Sequence, residues 1–288
     1  MTKAPLGVLE YLDLSCGTAV ADKHRTAFAG AMAAEAIGYR RIWVPEHHGP
    51  GSASTNPLPI VAVLGSHTTR ARVGTAVSLL RLRDPSLTAE DFVTAAAFCG
   101  PRLDVGIGRG ASAEFLSRLA KDDQQLDRAV EDLLSTLATG SEVTGPLTEP
   151  YELWMHGAGG GSAGTAADAG ANYCHGLFLN PDLDTCMRAL EKYRARGSSG
   201  STAVAVAVAA NADPRRALVD ADRQPYAVTT GTAADCAETI ANVLRLTGAD
   251  EVILIETSSR RDDHLRALRE IYDLVSARPE TTERSPRR

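Results

Sequence analysis

The sequence lacks three features that mark particular classes of protein. Its five cysteines are scattered and form no C-x-x-C pair, so neither a disulfide framework nor a thiolate metal site is indicated. No run of about 18 apolar residues occurs, so no membrane-spanning helix is expected. Basic residues are not in excess, and the formal net charge of -6 argues against nucleic acid as the main partner.

No secretory signal peptide is expected at the start of the sequence. Residues 1–5 lead directly into a strand-like run, without the apolar core of a signal peptide. Together with the scattered cysteines, this predicts a cytoplasmic protein.

Apolar segments alternate with helical patterns along the 288 residues. The predicted strands are apolar throughout, which is typical of parallel sheets that are covered on both faces. Eight strand–helix units within about 270 residues predict a single closed (β/α)8 TIM barrel, and a doubly wound open sheet is the alternative. The predicted strands are residues 6–12, 42–44, 72–80, 103–107, 152–155, 172–179, 203–209 and 251–256.

Local signals mark the ends of several helices. Gly38 ends the first helix, Asp84 and Pro85 begin the third, and Thr232 forms a capping box with Asp235. Two further helices are predicted over residues 111–137 and 163–170.

Two segments have no clear helical or strand period. Residues 213–230 are poorly periodic, and residues 278–288 are polar with two prolines. No break in composition divides the chain, so we expect one domain over residues 1–277 and a disordered tail over 278–288.

The end of the second predicted strand carries Glu46, His47 and His48. In a barrel of parallel strands, the carboxyl ends of the strands hold the active site. Histidine is a natural proton carrier near neutral pH, so these residues are candidates for acid–base chemistry, and a solvated loop entry is the alternative. A metal site is less favoured, because no partner stands at ligand spacing.

A glycine-rich segment with one arginine follows the fourth predicted strand. Residues 106–111 fit the dinucleotide pattern G-x-G-x-x-A, but the acidic residue that should follow would fall near Glu131, inside a predicted helix. A nicotinamide site is therefore not favoured. The glycines would still let a ligand approach the backbone, and Arg109 supplies a charge for phosphate. A tight structural turn is the alternative.

A second glycine run, residues 159–161, precedes Ser162 and a predicted helix. Amides at a helix N-terminus favour a phosphate, so this run is a second candidate anion site. A flexible surface loop is the alternative.

Taken in order, several motifs resemble the bacterial luciferase-like flavin monooxygenase family. The resemblance covers about residues 6–275, and its specific part is the first 110 residues. The matching segments are residues 34–48, Asn56 with Pro57, residues 72–77, Arg83 to Pro85, residues 101–110, residues 161–170, residues 230–236 and residues 248–255.

The resemblance implies a TIM barrel, usually a homodimer, that holds FMN or a deazaflavin coenzyme at the carboxyl ends of the strands. His47 matches the catalytic histidine, with Glu46 and His48 as candidates for the substrate side. The other positions carried over are cofactor contacts: Ala76 and Val77 as a non-prolyl cis peptide against the ring, and Arg109, Gly160, Gly161 and Ser162 at the phosphate.

Three departures from the family pattern bear on function. Ala158 stands where some relatives have a carboxylate, and Pro101 replaces a glycine. The segment that shields the flavin in luciferases is shortened here to about residues 213–230. A shorter lid gives a more open pocket.

The function that the resemblance implies is an FMN-dependent monooxygenase. A separate reductase would supply reduced FMN, and dioxygen would be used to oxygenate a small organic substrate, for instance one of secondary metabolism. A deazaflavin-dependent oxidoreductase that transfers hydride, and a flavin-binding protein without catalysis, are the alternatives. The sequence does not name the substrate.

Overall fold

The computed structural model describes residues 5–14, 17–49, 51–108, 123–142 and 144–278. Its strands are β1 (Leu6–Leu9), β2 (Arg41–Val44), β3 (Arg72–Thr75), β4 (Ser78–Leu79), β5 (Leu103–Gly108), β6 (Tyr151–Gly157), β7 (Asn172–Gly176), β8 (Thr202–Ala210), β9 (Thr229–Gly231) and β10 (Glu251–Glu256). Its α-helices are α1 (Val20–Ile37), α2 (Pro57–His67), α3 (Pro85–Cys99), α4 (Asp123–Thr139), α5 (Gly160–Asp168), α6 (Leu183–Ala195), α7 (Pro214–Asp222), α8 (Ala233–Thr247) and α9 (Arg261–Ser276).

The strands close into a parallel barrel. In order around the barrel they are β1, β2, β3, β5, β6, β7, β8 and β10, and β10 pairs with both β8 and β1. Two short strands lie off this ring: β4 pairs with β5, and β9 pairs with β8. The predicted TIM barrel is confirmed, and the open-sheet alternative is wrong.

Predicted helix ends are confirmed where the sequence carries a specific cap. Asp84 accepts hydrogen bonds from the amides of Ser86 and Leu87 at the start of α3. Thr232 and Asp235 form both bonds of the capping box that begins α8. Side-chain acceptors satisfy amides that the helix itself leaves unpaired.

Several predicted elements differ from the structure. The first strand ends at Leu9 and the sixth at Gly176, earlier than predicted. The third predicted strand is divided into β3 and β4. The poorly periodic segment 213–230 contains a helix, α7, with Asp213 as its cap, and most of β9.

Two predictions cannot be compared with the structure along their whole length. Residues 111–122 of the predicted fourth helix lie outside the described residues, and α4 continues to Thr139. The predicted tail lies outside them from residue 279 onward. In the described ranges, no helix combines the length and apolar character needed to cross a bilayer.

Charged residues fill the barrel at the amino-terminal ends of the strands. The guanidinium of Arg41 contacts Asp104 at 2.6 Å, Glu251 at 2.9 Å and Glu152 at 3.3 Å. It also lies over the ring of Trp154, 4.5 Å from the ring centroid. Trp43, which is fully buried, donates its indole N–H to Asp104 at 2.8 Å. This layer closes one end of the barrel and leaves the carboxyl ends for a ligand.

Candidate functional site

The peptide bond between Ala76 and Val77 is cis, as the resemblance implies. It lies between β3 and β4, and this is why the third predicted strand is divided. The amide of Ala76 donates to the Val44 carbonyl at 2.8 Å, and the amide of Glu46 donates to the Val77 carbonyl at 3.1 Å. These two bonds join the cis peptide to the end of β2, at the open end of the barrel.

A glycine on the neighbouring strand permits this arrangement. A Cβ atom on Gly108 would lie 3.0 Å from Cγ1 of Val77, which is tighter than ordinary van der Waals contact. The end of β5 therefore approaches Val77 closely because it carries no side chain there.

His47 follows β2 and is exposed at this end of the barrel. Its amide donates to the Ser54 carbonyl at 2.8 Å. The hydroxyl of Tyr11 lies 2.8 Å from Nε2 and 2.9 Å from Nδ1 of the imidazole. Desolvation by the surrounding protein, followed by the charge of His48, lowers the pKa of His47. The ring is therefore mainly neutral near pH 7 and can accept a proton.

Three aromatic residues that the sequence analysis did not single out form a series of ring contacts that begins at His47. The ring centroid of Tyr11 lies 4.7 Å from that of His47 and 5.2 Å from that of Tyr226, and Phe178 lies 5.1 Å beyond Tyr226. Tyr226 belongs to the shortened lid, and the next amide, that of Ala227, donates to the Phe178 carbonyl. The lid is thus attached beside the histidine.

Glu46 has a different environment from that of His47. It is 2% exposed, and its carboxylate accepts hydrogen bonds from Nε of Arg83 at 2.6 Å and from the Leu79 amide at 3.1 Å. The carboxylate also lies 2.7 Å from Nε2 of His48. This geometry indicates that Glu46 and His48 hold the end of β2 against β4. Their predicted place on the substrate side stays a prediction.

The second glycine run forms the N-terminus of α5. The helix begins at Gly160, three residues before the predicted start, and Gly159 caps it without any side-chain hydrogen bond. A Cβ atom on Gly159, Gly160 or Gly161 would meet no described atom within 4 Å, apart from the chain neighbours. Unlike α3 and α8, this helix begins with amides that its N-cap residue does not satisfy through a side chain. The other predicted phosphate contact, Arg109, lies outside the described residues.

His156 is another residue of the site that the sequence analysis missed. It lies on β6 beside Gly108 in the register of the sheet, and its ring centroid is 4.8 Å from that of Trp43. Its Nε2 is buried, and no described residue forms a hydrogen bond with it. Burial, followed by the charge of Arg41, lowers the pKa of His156 to about 3, so the ring is neutral. Residues two apart on a strand point to the same face of the sheet, so His156 shares the face of Trp154. This alternation along β6 is the sequence signal that points to His156.

These features fit a flavin. The cis peptide and Gly108 provide a close backbone surface at the open end, and the uncapped amides of α5 provide donors for a phosphate. Among the described residues, no group of three or more His, Cys, Asp or Glu side chains is placed to hold a metal ion. The absence of a metal site stays a prediction.

The fold and site define a TIM barrel whose candidate chemistry lies at the carboxyl ends of its strands. The family model for luciferase-like monooxygenases matches residues 15–272, and the chain belongs to that family.

The chain is also similar to individual proteins and solved structures. The uncharacterized protein YceB of Bacillus subtilis is 31% identical over 193 residues, which cover 62% of this chain and 58% of YceB. The chain thus spans less than three fifths of the length of that relative. The structure of apo-MsnO8 is 25% identical and matches with a TM-score of 0.82 over 96% of this chain and 99% of its own.

Two solved structures with bound cofactors share the fold. The oxygenating constituent of 3,6-diketocamphane monooxygenase from Pseudomonas putida, a type II Baeyer-Villiger monooxygenase in complex with FMN, is 14% identical, with a TM-score of 0.73 over 94% of this chain and 97% of its own. A coenzyme F420-dependent secondary alcohol dehydrogenase with an F420-acetone adduct is 16% identical, with a TM-score of 0.75 over 95% and 99%.

Proposed function

We propose that this protein is a flavin-dependent monooxygenase. It takes reduced FMN from a separate reductase and uses dioxygen to oxygenate a small organic substrate. The observation that carries the proposal is the position of His47 at the open end of the barrel, where two backbone hydrogen bonds hold Ala76 and Val77 against the end of β2 and Tyr11 contacts the imidazole. The FMN-bound monooxygenase of the same fold supports this choice of cofactor.

Two parts of the chain would hold the cofactor. Ala76 and Val77 would face its ring, with Gly108 leaving room beside them. The amides of Gly160, Gly161 and Ser162, together with Arg109, would hold its phosphate. Reduced flavin, when bound, would supply the electrons that activate dioxygen.

His47 would exchange a proton with the substrate. Its lowered pKa keeps the imidazole neutral, so a ring nitrogen can accept a proton from the substrate or return one to it. The Tyr11 hydroxyl fixes the edge of the ring that it contacts. Phe178 and Tyr226 cover the same side, and their apolar surfaces would exclude water from the reacting atoms.

The test is a reductase-coupled oxygenation assay on the wild type and the His47→Ala variant. Oxygenated product from a panel of small organic substrates, together with its loss in the variant at unchanged FMN affinity, is the expected result. Normal FMN binding with no product from any substrate would instead favour a flavin-binding protein without catalysis.

A deazaflavin-dependent oxidoreductase is the second candidate, because an F420-dependent dehydrogenase shares the fold over nearly the whole chain. The same residues would hold the coenzyme, and His47 would exchange a proton with the substrate while hydride is transferred. Tighter binding of reduced deazaflavin than of reduced FMN would select this function.

We also propose that the protein is a homodimer. Val63 on α2 and Leu87 and Phe98 on α3 expose 50%, 61% and 51% of their surface, and the two helices are neighbours. Exposed large apolar residues on adjacent helices are typical of a subunit interface. Light scattering should give a mass twice that of the 30.4 kDa chain. The Phe98→Glu substitution should shift the measured mass toward that of the monomer. A wild-type monomer would contradict the proposal.

A further inference from the structure

The loop that leads into α5 has no side chains of its own to hold its conformation. Gly159, Gly160 and Gly161 follow Ala158 directly, and glycine pays the largest entropy cost when it is ordered. A loop that binds an anion through its amides needs those amides to be aimed before the ligand arrives. The structure contains two side chains that could aim them.

Both side chains come from the β7 region and contact the carbonyl side of the loop. Nδ2 of Asn180 donates to the Ala158 carbonyl at 3.1 Å. The hydroxyl of Tyr173, on β7, donates to the Gly159 carbonyl at 3.4 Å. These are the two carbonyls immediately before the first helical residue.

The geometry of the peptide unit gives these bonds a consequence. In a trans peptide, the carbonyl of one residue and the amide of the next point in opposite directions. The two peptide bonds after Ala158 and Gly159 are trans. Holding their carbonyls toward Asn180 and Tyr173 therefore turns the amides of Gly159 and Gly160 away from those two side chains. The described residues also leave space beside both α-carbons, since a Cβ atom on either glycine would meet none of their atoms within 4 Å outside the chain neighbours and the helix's own backbone.

A buried histidine fixes the direction of the Tyr173 bond. Nδ1 of His175 lies 3.0 Å from the Tyr173 hydroxyl, and burial lowers the pKa of His175 to about 4, so its ring is neutral. Nε2 of His175 is buried and has no hydrogen-bond partner among the residues that the structure describes. An unpaired acceptor there is more acceptable than an unpaired donor, since under-satisfied buried acceptors are the commoner case. The proton therefore lies on Nδ1, which donates to Tyr173 and leaves the Tyr173 proton for Gly159.

We infer that Asn180 and Tyr173 are positioning residues that aim the amides of Gly159 and Gly160 at the phosphate of the bound cofactor. This inference rests on the flavin site proposed above and adds residues that neither touch the cofactor nor belong to the glycine run. Because they act on the phosphate alone, their loss should leave recognition of the flavin ring unchanged.

The experiment compares two flavins that differ only in the phosphate. FMN and riboflavin are titrated separately into the wild type, Asn180→Leu and Tyr173→Phe, and flavin fluorescence reports binding. Loss of one neutral hydrogen bond should raise the Kd for FMN by about three- to tenfold. The Kd for riboflavin should not change in either variant.

Tyr193→Phe is the matched control. Tyr193 stacks on Tyr173 with ring centroids 5.9 Å apart, but its hydroxyl donates to the Ala171 carbonyl and not to the loop. Removing that hydroxyl should leave the ratio of the two affinities at the wild-type value. Circular dichroism of each variant shows that the barrel has folded, and Asn180→Leu tests the inference independently if Tyr173→Phe does not fold.

The outcomes separate this inference from the proposed function. A rise in the FMN Kd alone, in either folded variant, supports it. Equal changes in the Kd values for both flavins, or no change in either Kd, overturn the inference but not the proposed flavin site. The same holds if the wild type binds FMN and riboflavin with equal affinity. A wild type that binds neither flavin overturns the proposed function and this inference together.

Discussion

Replacing His264 with glutamine should make the stability of the barrel depend on pH in a different way from the wild type. His264 lies on α9 and is 6% exposed. Its Nδ1 lies 2.6 Å from Glu256, the last residue of β10, and its Nε2 lies 3.3 Å from Glu10, which directly follows β1, so one imidazole joins the ends of these neighbouring strands. The Glu256 carboxylate also accepts from the hydroxyl of Ser258 at 2.7 Å.

The magnitude follows from the charges around the ring. Burial alone would lower the pKa of His264, but the charges and hydrogen bonds of Glu10 and Glu256 outweigh burial and raise it to about 10. A rise from 6.5 to about 10 corresponds to about 5 kcal/mol at 1.36 kcal/mol per pKa unit. Removing one partner of a buried ion pair costs about 3–5 kcal/mol, which is the same order. We therefore expect His264→Gln to lose about 3–5 kcal/mol of unfolding free energy near pH 6.5.

The sign of the pH dependence is fixed by the direction of this pKa change. A pKa that is higher in the folded than in the unfolded state gives stability that is complete below the unfolded value of about 6.5. That stability is lost as the pH rises through the folded value of about 10. The difference between wild type and His264→Gln should therefore be largest near pH 6.5 and shrink toward pH 10.

Urea unfolding at pH 6.5, 8 and 9.5 measures this difference directly. His67→Gln is the control, because His67 is an exposed histidine at the end of α2. It should change stability by less than about 0.5 kcal/mol. A His264→Gln deficit that stays constant from pH 6.5 to 9.5, or that grows, would refute the assignment of a charged His264 between two carboxylates.

Four further predictions concern single positions. His47→Ala should lower turnover by about 10²–10⁴-fold with unchanged FMN affinity, and loss of FMN binding would remove its catalytic role. Because the pKa of His47 is lowered, the acid limb of wild-type kcat/KM should have its midpoint below 6.5, and a midpoint above that value would contradict its role as the base. Asp84→Ala should destabilise the protein by about 1 kcal/mol in urea, since it removes the cap of α3, and an unchanged midpoint would show that the cap contributes nothing. Arg109→Ala should weaken binding of FMN but not of riboflavin, and equal affinities in variant and wild type would exclude Arg109 from the phosphate site.

The parts of the fold that the sequence predicted depend on local patterns. Buried parallel strands need apolar residues on both faces, so segments such as residues 203–209 and 251–256 were found within a residue or two of their ends. Caps such as Asp84 and Thr232 were found because the side chain that satisfies the helix amides lies beside them in sequence.

The parts that the sequence did not predict depend on contacts between distant residues. The composition of residues 72–80 is that of one continuous strand, and only the family resemblance indicated the cis bond that divides it. α7 begins with clear cap chemistry at Asp213 and Pro214, which the sequence analysis did not use, and only two of its nine residues are buried. Tyr11 and Tyr226 are more than 200 residues apart, and no local pattern shows that they meet beside His47.

The central claim is that the open end of this barrel binds reduced flavin and lets it react with dioxygen. The direct test is an anaerobic titration with reduced FMN, oxidised FMN and reduced deazaflavin, after which dioxygen is admitted and the absorbance is followed. The account predicts tight, preferential binding of reduced FMN and a transient absorbance that differs from simple reoxidation. Preference for reduced deazaflavin with no reaction with dioxygen, or no binding of any of the three, would contradict it.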